Sequence, residues 1–235
     1  MHKSAVLVFL LAIGYCTAQP FAQPPQTPAQ MDWTMNGPED FVADPQPGDR
    51  FAPGAVSLAR LRHTPPGKAL TPFSRGVKFA STGGWPKSVD EFKKALAADP
   101  DFSEAHGNLG AAYSALHRFE EAGAEFRRAI ELDPGTGIHH SNLAYVLIVL
   151  EHQKEAEVEA KTAVSLSPTD LTAHFLLGFL LACNPDTHIA AEQHLAYAAR
   201  QIPDAHLMLA QLYFSQGSAQ LGAAEMARYR EAIGK

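Results

Sequence analysis

The sequence predicts an all-α solenoid of stacked antiparallel helical hairpins. Its prolines Pro100, Pro134, Pro168 and Pro203 follow one another at intervals of 34, 34 and 35 residues. A fixed period of this length is typical of repeat proteins in which each unit is one helical hairpin. The residues before each proline are typical of the end of a helix, which proline cannot continue. Each proline therefore closes one unit and begins the turn into the next.

The unit that ends at Pro134 has the clearest pattern of small and large residues. Ala122, Phe126 and Ala129 lie at positions i, i+4 and i+7, so they share one helical face. Small residues such as Gly110 allow the two helices of a hairpin to approach closely, and the large residues fill the space towards the next hairpin. Because one hairpin buries too little apolar surface to be stable, about three or more must stack.

This unit resembles the tetratricopeptide repeat in the order of its residues, which is Leu109-Gly110, Tyr113, Ala122, Phe126, Ala129 and Pro134. The resemblance implies a right-handed superhelix over residues 68–235. It also implies about three clear repeats near 103–134, 137–168 and 171–203. Two degenerate repeats near 68–100 and 204–233 flank them, as expected of units that cap the ends of a solenoid.

The first 18 residues predict a secretory signal peptide. A basic start that includes Lys3 precedes an apolar run over residues 5–13, and small residues lead up to Ala18. The run is too short to span a bilayer. We expect cleavage after Ala18 and export to the periplasm or cell envelope. Lipidation of Cys16 is the open alternative, which the bulky Tyr15 directly before it disfavours.

Residues 19–67 differ in composition from the rest of the chain. They hold ten of its 17 prolines, together with several glutamines, and therefore predict a largely disordered linker. Apolar side chains return over residues 41–61. Residues 56–62 alternate in part and could form a short extended segment against the solenoid, or the region could be a floppy tether.

The residues that carry catalytic chemistry do not form a recognisable motif. The sequence has no zinc motif, phosphate loop, nucleophile elbow or dinucleotide fingerprint, so we expect no enzyme activity, no cofactor and no metal. The formal net charge of −6 argues against nucleic acid and anionic membranes as partners.

Histidines recur with the repeat, at His106, His140 and His174, and His206 stands at a similar place in the last unit. Residues one repeat apart lie about 10 Å apart, as packed helices do. Zinc ligands must lie within about 2.0–2.3 Å of one ion. We therefore expect packing positions, occupied by an aromatic residue in many repeats of the family, and no metal site.

The family resemblance places the first helix of each hairpin along a concave groove. The residues expected to bind a partner there are Tyr145, Ile148, Phe175, Phe179 and Phe214. Residues 143–150 and 175–183 are apolar on every helical face, which predicts that something covers them. A partner segment, a second copy of the chain and its own N-terminal tail are the three alternatives. The groove lacks the lysines and arginines with which some relatives clamp a C-terminal carboxylate.

These observations predict a non-catalytic protein–protein interaction scaffold or adaptor of the periplasm or cell envelope. It would bind a peptide or helix in an apolar concave groove. A lipid-anchored structural protein of the envelope and an accessory subunit of an enzyme complex are the alternatives. The sequence leaves the partner, the pathway and the oligomeric state open.

Overall fold

The structure, a computed structural model, describes residues 63–234. The predicted signal peptide and all but the last residues of the predicted linker lie outside this range. Residues 63–66 have no regular structure and lead directly into the first helix. The His63 ring lies 2.7 Å from the Asp99 carboxylate, which ties the start of the described chain to the first hairpin.

Residues 63–234 contain ten α-helices, a short 3₁₀ helix and no strand. The α-helices are α1 (Gly67–Ala80), α2 (Trp85–Ala98), α3 (Ser103–Ala115), α4 (Phe119–Leu132), α5 (Gly137–Val149), α6 (Gln153–Leu166), α7 (Leu171–Ala182), α8 (His188–Ala198), α9 (Pro203–Ser215) and α10 (Ala219–Ile233), and the 3₁₀ helix is Pro185–Thr187.

Consecutive helices pair into five hairpins, α1–α2, α3–α4, α5–α6, α7–α8 and α9–α10, and each hairpin packs on the next one. One continuous apolar core runs between the hairpins from α1 to α9. The predicted all-α solenoid of stacked helical hairpins is thereby confirmed.

Close contact inside a hairpin depends on a glycine that faces a large apolar residue. A Cβ atom added to Gly110 of α3 would lie 2.8 Å from the Phe126 ring of α4. The same arrangement recurs between Gly76 of α1 and Phe92 of α2, at 2.5 Å. Both rings are fully buried, so a side chain at either glycine would force the helices apart.

The turns inside the hairpins explain the one longer interval between prolines. Four hairpins turn through a residue with a left-handed backbone: Gly83, His117, Glu151 and Gly217, with φ between 57° and 76°. The α7–α8 hairpin turns instead through the 3₁₀ helix. There the Asn184 side chain accepts a hydrogen bond from the Asp186 backbone, at 3.1 Å. This different turn accommodates the extra residue of the repeat.

Candidate functional site

Four of the five residues predicted to bind a partner lie together. Ile148 on α5 and Phe175 and Phe179 on α7 belong to the main core, with only 4%, 1% and 7% of their surface exposed. Tyr145 on α5 is half-buried and packs on the same cluster. Its ring meets Phe119 of α4 edge-on, with 6.4 Å between the centroids. These four side chains form one apolar cluster across α5 and α7.

Phe214, the fifth predicted residue, lies apart from this cluster. It is 43% exposed. Its ring fills the space above Gly222 of α10, where an added Cβ would lie 2.6 Å away. The structure therefore places Phe214 inside the last hairpin, with part of its ring in solvent.

Helix α7 is buried on every side. Every residue from Phe175 to Leu181 is buried, and this stretch covers all directions around the helix axis. At its N-terminus the Asp170 carboxylate accepts hydrogen bonds from the backbone N–H groups of Thr172 and Ala173. The middle of α7 is thus covered, although its position in the repeat is one that faces the concave side in the family.

Burial also determines the chemistry of Tyr145. It raises the pKa of the phenol to about 12. The hydroxyl therefore stays protonated at any physiological pH, and it can act as a hydrogen-bond donor at the edge of the apolar cluster.

Histidine–carboxylate pairs connect the two helices in three of the hairpins. In each, histidine Nδ1 lies near a glutamate 19 residues further along the chain. The pairs are His106–Glu125 at 2.6 Å, His140–Glu159 at 2.6 Å and His206–Glu225 at 2.7 Å. In the α7–α8 hairpin His174 meets a second histidine instead: the Nδ1 atoms of His174 and His194 are 2.9 Å apart.

The opposite ring nitrogen of these histidines contacts the repeat-closing prolines. Nε2 lies near the carbonyl oxygen six residues earlier, at 3.0 Å for His106 and Pro100 and at 3.1 Å for His174 and Pro168. His140 makes the same contact at 3.3 Å. Sequence analysis recognised the recurring histidines but not their partners. The feature of the sequence that could have indicated these partners is the glutamate that follows three of the four histidines at a distance of 19 residues.

Among the titratable groups on the first helices of the five hairpins, His139 of α5 is the most deeply buried. It is 1% exposed, and its ring fills the space beside Gly107 of α3. Its Nδ1 atom has no hydrogen-bond partner. Burial lowers the pKa of the ring to about 4, so the imidazole is neutral at neutral pH.

Other clusters within residues 63–234 give little sign of a reaction centre. No group of three or more histidine, cysteine or acidic side chains is arranged to hold a metal ion in this part of the chain. A cleft of about 540 Å³ between α4 and α6 is lined partly by charged side chains. Of these, Arg127 faces Glu155 at 3.4 Å and Glu159 is bonded to His140. None of the described helices is both long and apolar enough to cross a membrane.

Comparison with known proteins agrees with the repeat pattern. A family model described as tetratricopeptide repeat matches residues 75–136, which run from α1 into the turn after α4. No curated protein has significant sequence similarity to the chain. The repeat spacing, the family model over residues 75–136 and the fold of the described helices all match the tetratricopeptide repeat.

Solved structures share this fold at low sequence identity. MamA from Desulfovibrio magneticus RS-1 is 16% identical, with a TM-score of 0.63 over 72% of this chain and 97% of that one. PilF from Pseudomonas aeruginosa is 18% identical, with a TM-score of 0.62 over 70% and 76%. YrrB, described as a tetratricopeptide repeat protein with an unusual peptide-binding site, is 22% identical, with a TM-score of 0.58 over 77% and 93%.

Proposed function

We propose that this protein is a non-catalytic protein–protein interaction scaffold. It holds a peptide or helix of a partner against the apolar concave side of α5 and α7. The observation that carries this proposal is that α7 is apolar and buried on every side, since a helix of this kind requires a cover on each face. Amphipathic helices and extended apolar segments are the ligands that apolar grooves between helices accept. The peptide-binding site ascribed to YrrB is consistent with this use of the fold.

The chain's own N-terminal segment is the occupant that we propose for this side when no partner is bound. The described helices pack mainly on their neighbours along the chain. Phe175 and Phe179 are buried in the main core. Residues 41–61 supply apolar side chains within a segment that joins the solenoid directly at residue 63. A partner would then bind by displacing this segment.

Deletion of residues 19–60 tests this occupancy. We expect the shortened protein to bind a hydrophobic dye such as anilinonaphthalene sulfonate more strongly than the full chain, because the apolar side of α7 loses its cover. A second variant keeps the chain length and replaces Phe41, Phe51 and Leu61 by serine. It should raise dye binding in the same way. Unchanged dye binding in both variants, with helicity intact, would show that these residues do not cover α7.

We further propose that the scaffold works outside the cytoplasm, in the periplasm or cell envelope. The basic start, the short apolar run and the small residues before Gln19 support this location. Mass spectrometry of the protein purified from its native cells should find Gln19 at the N-terminus. An intact Met1 would contradict export by this route, and a lipidated Cys16 would favour the lipid-anchored alternative.

A further inference from the structure

The α7–α8 hairpin differs from three of its neighbours in the partner of one histidine. Hairpins α3–α4, α5–α6 and α9–α10 each place a glutamate against histidine Nδ1. The α7–α8 hairpin places His194 against His174, with 2.9 Å between the two Nδ1 atoms. The two rings are 5.0 Å apart between centroids. Because a histidine stands here in place of the glutamate, protonation affects this contact differently from the contacts in the other three hairpins.

In the histidine–glutamate hairpins an added proton strengthens the contact. Both ring nitrogens of His106 face acceptors, the Glu125 carboxylate at 2.6 Å and the Pro100 carbonyl at 3.0 Å. A neutral imidazole carries only one N–H and can donate to only one of them. An imidazolium donates to both and also forms an ion pair with the carboxylate. His140 has the same two acceptors in the next hairpin.

In the α7–α8 hairpin the contact breaks when both rings are protonated, whereas a single added proton leaves one N–H to donate to the other ring. Nε2 of His174 donates to the Pro168 carbonyl at 3.1 Å, which leaves Nδ1 of the neutral ring as an acceptor for His194. If both rings are protonated, two N–H groups and two positive charges face each other across 2.9 Å. Within residues 63–234 neither ring is paired with a carboxylate that could offset this repulsion.

The other groups around this pair do not offset the repulsion either. Tyr197 of α8 lies against the His174 ring at 4.3 Å between centroids. The Arg200 guanidinium lies over Tyr197 at 4.8 Å and adds a positive charge. Glu192, the acidic residue of α8, accepts a hydrogen bond from Tyr213 of α9 at 2.7 Å. Burial, together with His174, lowers the pKa of His194, in keeping with a pair that favours the neutral state.

We propose that the His174–His194 pair makes α7–α8 the acid-sensitive hairpin of the solenoid. When the pH falls far enough below the ordinary range of a histidine for both rings to be protonated, their repulsion loosens the packing of α8 on α7. Because α8 packs on α7, which carries Phe175 and Phe179, this loosening changes the packing of the apolar side of α7. This last step rests on the proposed function, whereas the acid sensitivity itself does not require a partner.

Hydrogen exchange of the full chain tests the proposal without a ligand. Protection of residues 171–198, corrected for the intrinsic exchange rate at each pH, is compared with that of residues 103–132 at pH 7.5 and pH 5.5. We expect the protection ratio to fall by about tenfold at pH 5.5, because protonation of both rings favours the opened hairpin. In the His194→Glu variant, which restores the pairing of the other hairpins, the ratio should stay within about threefold.

Two further variants keep the test decisive. His194→Gln cannot be charged and should also abolish the acid response, which covers the case in which His194→Glu fails to fold. Glu159→His creates a histidine pair in α5–α6 and should transfer the loss of protection to residues 137–166. A constant protection ratio in the unmodified protein, or the same fall in His194→Gln, would overturn the proposal. Failure to find a partner would overturn only the proposed function.

Discussion

At the scale of the residue, the burial of His139 makes the free energy of unfolding depend on pH. The ring is enclosed between α3 and α5 and its Nδ1 atom has no partner, so its charged form is excluded from the folded protein. Because its pKa in the folded state, about 4, is below the ordinary value of 6.5, the unfolded chain binds more protons between these two pH values. The stabilisation is therefore complete above pH 6.5 and is lost as the pH falls towards 4.

The substitution His139→Asn tests this coupling. Urea unfolding of the unmodified protein should show an acid loss between pH 6.5 and pH 4 to which His139 contributes about 3 kcal/mol. The variant, which has no titrating group at this position, should lose correspondingly less over the same range. His152→Asn is the matched control, since His152 is 54% exposed and should leave the pH profile unchanged. Equal acid loss in the protein and in both variants would contradict the assignment.

At the scale of the element, four of the five hairpins of the described chain have a large residue packed on a glycine. Phe126 of α4 is fully buried above Gly110 of α3. The sequence could predict this contact, because the spacing of Gly110, Ala122 and Phe126 repeats with the period of the prolines. It could not predict the histidine pairs. Which residue of the second helix meets a histidine depends on the packing of the hairpin and on its turn, and the α7–α8 turn is unlike the others.

Truncation of this contact should destabilise the whole solenoid. Phe126→Ala removes a fully buried ring and leaves a cavity, so we expect the free energy of unfolding to fall by about 3–5 kcal/mol in denaturant melts. Val158→Ala is the control: Val158 is 61% exposed on α6 and its truncation should cost less than about 0.5 kcal/mol. A loss below about 1 kcal/mol for Phe126→Ala would mean that the hairpin does not depend on this contact.

At the scale of the whole molecule, the solenoid provides a continuous row of first helices, of which α7 is the most apolar. The repeat spacing was sufficient to predict the hairpins, and the family resemblance placed Tyr145, Ile148, Phe175 and Phe179 on the first helices of their hairpins. The spacing alone did not predict their burial, although the apolar character of residues 143–150 and 175–183 on every helical face predicted a cover. The repeat fixes the direction in which a side chain points, whereas its exposure depends on what covers it. The position of Phe214 was not predicted either, because its ring packs on Gly222 of α10 inside the last hairpin.

Photo-crosslinking from Tyr145 tests most directly whether this side of the solenoid is an interaction surface. The photoreactive residue p-benzoylphenylalanine replaces Tyr145 in the full chain, in its native cells, and the linked peptide is identified by tandem mass spectrometry. Val158, exposed on the second helix of the same hairpin, carries the probe in the control. We predict one defined apolar segment linked at position 145, from a partner or from residues 41–61, and no such product at position 158. No adduct at position 145, or the same adducts at both positions, would contradict the proposed interaction surface.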